Sequence, residues 1–339
     1  MAVTIKDIAK RVGVSYSTVS RALNGIGVEN TESRKRIIQL AEEMGYVPNQ
    51  AAIHLKKSRS YMIGLYFSTI SKMTSPFVLH DVLTGIYSVT GSKYNVVVKG
   101  IDMHEAGTLN PSYFDGIIVL SQKNEDMDFM REVQLKKIPM VVICRAVDVD
   151  APNVTTDECR AMEKAMDYLL ENGHRKIAVI EGNPGLDSSR LRHRGWRRAM
   201  ESRGLDPDAL PVRSGNYRYA SGYEAAKQLL DYHPTAILCF NDEMAFGANA
   251  AIQERGLKVP QDVSLVGFDN WDMSAYSTMR LTTVERSMGE IAKEGARVLL
   301  RWLDEGIVDK RRIYLHNRLI IRDTVRDIRG SKAQESEKG

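Results

Sequence analysis

Residues 4–25 read TIKDIAKRVGVSYSTVSRALNG, and the spacing within this stretch decides the N-terminal fold. Thr4 followed by Asp7 is a helix start, and Ile5, Ile8, Ala9 and Val12 fall on one stripe at helical spacing. Gly13 ends that helix. Ser15 caps a second one, residues 16–23, after a turn of about three residues, which is the arrangement of a helix-turn-helix. On the second helix Val19, Ala22 and Leu23 face one way, while Tyr16, Ser17, Ser20, Arg21 and Asn24 face the other, a side rich in hydrogen-bonding groups. A third helix is expected from Thr31 to Met44, with Ile37, Ile38, Leu40, Ala41 and Met44 buried and Gly45 as terminator. Three short helices then close one small core.

Beyond this module the pattern loosens and then changes period. Pro48 marks its edge, and NQAAIHL at 49–55 is a weakly helical segment too short to be stable alone. From Tyr61 onward, short apolar runs alternate with stretches of helical length: MIGLYF, NVVV, GIIVL, PMVVIC, KIAVI, AILCF and VSLVGF. Runs apolar on both faces and separated by helices predict parallel sheets covered on both sides, here two sheets. The break falls near Pro152 to Asp157, after four strands. A long helix at about Met288 to Glu305 and late strands near Arg312 to Ile321 could return to the first lobe. Residues 101–114, IDMHEAGTLNPSYF, read as loop because of Gly107, Pro111 and a weak apolar stripe. The polar stretch 329–339 is expected to be disordered.

Charge separates the same two regions. Residues 1–60 hold ten Lys and Arg against five acids, so this segment is +5 while the remaining 279 residues sum to −1. A basic module beside a near-neutral one points to a polyanion for the first and another task for the second. At 339 residues the chain suits two or three modules on a prior of about 100 to 200 residues each. No run is long and apolar enough to span a bilayer and no signal peptide is evident, which predicts a cytoplasmic protein without a membrane role. Cys144, Cys159 and Cys239 are odd in number and far apart, so buried reduced thiols are expected, with no disulfide framework, metal site or cofactor.

These residues resemble the LacI family of lactose-, galactose- and purine-repressor-like regulators over nearly the whole chain. The stretch 4–25 is similar to that family's helix-turn-helix signature, GYVPNQAAIHL at 45–55 to its hinge, and RLRHRGWRRAM, FNDEMAFG and VSLVGFDN to pocket segments of its periplasmic-binding-protein-like regulatory domain. The implied fold is a small all-α helix-turn-helix domain (1–48), a hinge helix and linker (49–60), and an α/β regulatory domain (61–328) of two doubly wound parallel-sheet lobes. Lobe 1 takes residues 61–155 plus 288–318 and lobe 2 residues 156–287 plus 319–328. The implied protein is a homodimeric repressor that binds palindromic operator DNA under the control of a small-molecule effector, a sugar.

Residue by residue, Tyr16, Ser17 and Arg21 can present an aromatic edge, a hydroxyl and a guanidinium to the major groove and are assigned as base readers. Thr4, Ser15, Thr18 and Asn24, at helix ends and flanks, are assigned to phosphates. The resemblance gives these positions the same roles, and gives Leu55 that of a minor-groove wedge. For the effector it implies Arg192, Asn241 and Asp269, Tyr217 as an aromatic wall, and Phe77 as an aromatic from the first lobe. Asp269 also follows a strand end, where doubly wound sheets bind ligands. The chain departs from the family at Cys144, where many relatives carry a ligand-binding Asp, at Met288, where some carry an aromatic, and at Glu158, where Asn is frequent; a ligand other than a plain hexose would fit those changes.

An enzyme is the first rival, but there is no dinucleotide or nucleotide-phosphate glycine loop, no nucleophile elbow and no H-E-x-x-H, and His174 and His193 read as isolated surface residues. A pure sugar carrier fails on the DNA module. A third reading keeps the architecture but takes a phosphorylated protein or a non-sugar metabolite as corepressor.

Overall fold

The structure, a computed structural model, describes residues 3–23, 32–46, 59–70 and 74–330. It divides into two units, Met1–Ser60 and Tyr61–Gly339. Asn24, Leu55, most of the hinge and the tail from residue 331 lie outside the described residues.

The first unit contains α1 (Ile5–Val12), α2 (Tyr16–Leu23) and α3 (Glu32–Glu43). Asp7 accepts from the Thr4 backbone at 2.8 Å and from its hydroxyl at 2.6 Å, fixing the start of α1. Those two donors hold the Asp7 carboxyl below the usual range. Gly13 ends α1 at a φ of 78°, a left-handed conformation that a residue with a Cβ adopts only at a cost. Ile8, Ala9, Val19, Ile37 and Ala41 form the core. Ser20, placed by helical spacing on the polar side of α2, is in fact buried at 8% exposure.

Among the described residues, the second unit has twelve strands in two six-stranded sheets. The first sheet uses β1 (Met62–Phe67), β2 (Asn95–Gly100), β3 (Gly116–Leu120), β4 (Met140–Ile143), β5 (Asn153–Thr156) and β11 (Arg312–Leu315) in the order β11-β5-β4-β3-β1-β2. All of its pairings are parallel. The second uses β6 (Ile177–Glu181), β7 (Val212–Ser214), β8 (Ala236–Cys239), β9 (Ser264–Asp269), β10 (Thr282–Glu285) and β12 (Arg318–Ile320) in the order β12-β10-β9-β8-β6-β7. Only its edge pair, β10 with β12, is antiparallel. The segment taken from sequence as the break between lobes is itself β5: NVTT is buried along its whole length, which its polar composition conceals.

Helices α4 (Pro76–Thr90), α5 (Asp126–Leu135) and α11 (Met288–Glu305) cover the first sheet. Helices α6 (Glu158–Glu171), α7 (Asp187–Glu201), α8 (Tyr219–Leu229) and α9 (Asp242–Glu254) cover the second, with the short α10 (Asp272–Tyr276) following β9. Thus α11, which comes after the last parallel strand of the second sheet, packs back on the first lobe. It meets α4 so closely that a Cβ on Gly85 would run into the carbonyl of Gly289. Between β2 and β3 only a single turn, Ile101–Met103, is helical, as the sequence leads one to expect. The Glu132 carboxylate holds the rest of that loop by accepting from His104, Gly107 and Leu109 at 3.0–3.1 Å. Cys144, Cys159 and Cys239 are buried free thiols. Among the described residues no helix is long and apolar enough to cross a membrane.

Candidate functional site

On the first unit, α2 presents Tyr16, 53% exposed, with Ser17, Thr18 and Arg21, all exposed, while Val19 anchors the helix from beneath. Ser15 spends its side chain on the helix itself: its Oγ accepts from Thr18 N at 3.1 Å and lies 2.7 Å from Ser17 Oγ and 2.8 Å from Thr18 Oγ1. It is therefore the N-cap of α2. The Thr4 hydroxyl is likewise engaged, on Asp7. The free face of α2 is thus Tyr16 and Arg21, flanked by a linked row of hydroxyls.

In the second unit a cleft lies between the lobes at the carboxyl ends of both sheets. This is where loops converge in doubly wound folds. Four of the five residues expected there line it: Arg192, Tyr217, Asn241 and Asp269. Phe77 does not. It is 49% exposed at the start of α4 and stacks on Trp271 of the other lobe at 4.5 Å between ring centroids, and it is Trp271, unforeseen in the sequence, that lines the cleft.

Each of the four is held by its surroundings. Arg192, only 2% exposed on α7, donates from Nε to Glu158 at 2.7 Å and from Nη1 to the Phe240 carbonyl, with its guanidinium 3.7 Å above the Phe268 ring. Its Nη2 is 3.7 Å from Asp269. Arg192 lies in the basic run RLRHRGWRR, yet it is the member turned inward. Tyr217 takes a φ of 67° and places its hydroxyl 2.6 Å from Ser189 Oγ, its ring lying so close over Gly182 that a Cβ there would collide with it. Asn241 caps α9 by accepting from Met244 N at 3.0 Å and donates to the Tyr217 carbonyl at 3.0 Å, so it serves as cap and as clamp. Asp269 and Asn270 end β9 with φ of 120° and 59°. Such conformations cost about 1–3 kcal/mol each and persist where the surroundings enforce them.

Electrostatics in the cleft are set by Glu158, which the sequence marked as a departure from the family pattern, and by Arg286, which sequence reasoning did not single out. Glu158, 1% exposed at the first turn of α6, sits between Arg192 and Arg286, with Arg286 Nη2 at 2.8 Å. Burial pushes its carboxyl up, but Arg192 and Arg286 outweigh that and hold it ionised, below its ordinary range. Asp269 goes the other way: burial pushes it up to about 7 against the pull of Arg192. Cys144 and Met288, two of the three departures from the family pattern, touch through their sulfurs at 3.9 Å, and burial raises the thiol to about 12, so no charge stands there.

A buried aspartate at the head of a helix organises the loops on each side. In the first lobe Asp126 accepts from Ser68 and Ser121 hydroxyls at 2.5 and 2.9 Å and from the backbone of Gln122 and Lys123 at 3.1 Å. In the second, Asp242 accepts from Ser274 and Thr283 hydroxyls, both at 2.5 Å, and from Trp271 N at 3.0 Å. Gln122 and Trp271 are thereby delivered to the cleft from opposite lobes. Besides the Phe77–Trp271 ring contact, the rims are joined where Asp187 N donates to the Gln122 carbonyl at 2.8 Å, where Arg218 donates to that of Thr74 at 3.1 Å and where Arg145 lies 3.5 Å from the Asp187 carboxylate.

A helix-turn-helix unit and a two-lobed unit with a polar cleft, in one chain, define a ligand-responsive DNA-binding regulator. The comparisons agree. Residues 4–49 match the family described as "Bacterial regulatory proteins, lacI family", and residues 166–325 match "Periplasmic binding protein-like domain". The chain is 37% identical over 328 residues to the "Probable HTH-type transcriptional repressor ExuR" of Bacillus subtilis (strain 168), covering 96% of this chain and 98% of that one. The solved lac repressor dimer bound to operator and the anti-inducer ONPF superposes with a TM-score of 0.84 at 26% identity, over 96% of this chain and 100% of that one. The transcriptional regulator CelR–cellobiose complex gives 0.71 at 25%, over 95% and 99%. The chain belongs to the lacI family of bacterial transcriptional regulators.

Proposed function

We propose that this regulator is a homodimeric repressor, acting in the cytoplasm, whose affinity for a palindromic operator is set by a polyhydroxylated effector, a sugar, in the interlobe cleft. The observation that carries this is the set of buried hydrogen-bonding groups there: Arg192, Asn241 and Asp269 from the second lobe face Ser75 Oγ and Gln122 Oε1 from the first, and the last two are buried without a partner among the described residues. Orphaned buried polar atoms from both lobes ask for one ligand that satisfies them together. Tyr217 and Trp271 supply the aromatic faces that stack on the C–H side of a sugar ring. The cellobiose bound by CelR supports the same class of ligand.

On the DNA side, Tyr16, Ser17 and Arg21 read bases, while Thr4, Ser15 and Thr18 lie against phosphates; Asn24 and the minor-groove residue Leu55 keep the roles that the family resemblance implies. The hinge at 49–60 links the two events, and an effector changes operator affinity only through its different affinities for the two lobe arrangements.

The test is a thermal-shift screen of sugars on the full chain followed by operator titration with and without the stabilising compound. Asp269→Ala should abolish the response to effector and leave operator binding of the ligand-free protein intact. A normal response in that variant removes Asp269 from the site.

A further inference from the structure

The first lobe holds a second pocket, apart from the cleft. At the β1–β2 edge of the first sheet, the face shared with α5 is covered by the loop 101–114, in which only Ile101–Met103 is helical. A parallel sheet is ordinarily covered by helices on both faces, and a loop fills the same space less completely. A cavity of about 210 Å³ remains, lined chiefly by Tyr66, Lys99, His104, Leu109, Tyr113 and Phe114. None of these residues lines the cleft.

Tyr66 and Lys99 are paired across β1 and β2, so both side chains rise from the same face of the sheet. Tyr66 is 1% exposed, and its hydroxyl makes no hydrogen bond among the described residues. Burial first, and the Glu132 carboxylate second, push its pKa up to about 12, so at neutral pH it has a proton to donate. A buried hydroxyl of this kind asks for an acceptor. Glu132 is not that acceptor, because it already accepts from His104, Gly107 and Leu109. Lys99 is exposed, with its Nζ 6.0 Å from the centre of the Phe114 ring, and no carboxylate pairs with it among the described residues. The walls are aromatic: Phe114 stands edge-on to Tyr66 at 6.1 Å and to Tyr113 at 4.8 Å, and His104 edge-on to Tyr66 at 6.4 Å.

We propose that this pocket is a second small-molecule site, taking an aromatic monocarboxylate whose ring lies among Phe114, Tyr113 and His104 and whose carboxylate accepts from the Tyr66 hydroxyl and the Lys99 ammonium. Size agrees with that class. An apolar cavity of about 150 Å³ takes one benzene ring, and the larger volume here leaves room for a carboxylate beside the ring. Two donors, one of them charged, supply the preference for an anion over a neutral ring of the same shape.

The experiment is calorimetric titration of the full chain with benzoate, and with benzamide, acetate and inorganic phosphate as comparisons. Benzoate should bind at one site per chain, about tenfold or more tighter than benzamide, as a charge-assisted hydrogen bond implies, and tighter still than acetate or phosphate. Lys99→Gln and Tyr66→Phe should each weaken benzoate about tenfold and leave operator binding unchanged. Lys99 is exposed, so its variant decides the matter should Tyr66→Phe fail to fold. Benzamide binding as tightly as benzoate would overturn the carboxylate, and acetate or phosphate doing so would overturn the aromatic ring. No benzoate binding, or binding that neither substitution weakens, would remove the site altogether while leaving the effector cleft untouched.

Discussion

The two units carry their function in opposite places. In the first, five residues, Ile8, Ala9, Val19, Ile37 and Ala41, make the core, and the working groups, Tyr16 at 53% exposure foremost, stand outside it. In the second the working groups are the interior: Arg192, Glu158 and Arg286 are at most 8% exposed, brought from three distant segments to one point. A surface site tolerates change one side chain at a time, because water replaces whatever is lost. A buried charged cluster does not, because each member is the solvation of the next.

That contrast orders the expected effects. The largest belongs to Glu158→Ala, which leaves two buried guanidiniums without their shared carboxylate; removing one partner of such a cluster costs about 3–5 kcal/mol. Urea unfolding of the full chain, followed through the second unit, should show it, and a negligible change would mean that water enters the cluster. Next is Ile8→Ala. Truncating a buried isoleucine costs about 2–5 kcal/mol, a large share of what a core of this size supplies. Operator binding should fail while the effector-induced thermal shift of the second unit persists, and loss of both would show that the units do not fold independently. Arg21→Ala comes third: with no core contact at stake, it should weaken operator binding by about 1–3 kcal/mol and relax specificity at one base pair. Binding weakened equally on every sequence would make Arg21 a phosphate contact instead.

The same contrast explains what could be read in advance. Helices α1 to α3 and α11 follow from apolar stripes, and seven of the strands from runs of β-branched residues, because these patterns record burial directly. Strands β5, β7 and β10, with the sequences NVTT, VRS and TTVE, left no such record. The threonines of β5 and β10 are buried, those of β10 with hydroxyls paired, Thr283 to Asp242 and Thr282 to the Arg322 backbone, so the residue type misstates the environment. In the cleft the family resemblance supplied Arg192, Tyr217, Asn241 and Asp269 and marked Glu158 as a departure, while Arg286 was not singled out. The usable signal was the departure at Glu158: an acid where Asn is frequent implies a new cation nearby. Trp271 had a weaker one, its place directly after the β9 end that marks Asp269.

His174 and His193 read alike in the sequence and differ in the structure. His193 is exposed and paired with Glu181 at 2.6 Å, whereas His174 is fully buried, because Gly173, at a φ of 89°, turns the chain inward after α6. Its Nε2 lies 3.1 Å from the Arg326 carbonyl and its Nδ1 2.9 Å from Thr235 Oγ1. A carbonyl only accepts, so the neutral ring donates from Nε2, and its Nδ1 faces the Thr235 hydroxyl, which also reaches the Lys176 carbonyl at 3.2 Å. Burial lowers its pKa below 6.5, and the Arg326 and Asp327 neighbours do not reverse that. The unfolded chain therefore binds the proton more readily than the folded one, so this contribution to stability is complete above about pH 6.5 and is lost as pH falls below it. Asp269 acts with the opposite sign over an overlapping range: its raised pKa of about 7 makes the folded state the better proton acceptor, and stability falls as pH rises through that range. A single stability curve would mix the two. The difference between the unmodified chain and His174→Gln isolates the histidine, since Asp269 is common to both. That difference should shrink steadily on acidification from about pH 7 to about pH 5, the smallest effect of the four. A constant difference across that range would mean that the buried ring titrates like an exposed one, and that the interior of this unit is as open to protons as the face of α2.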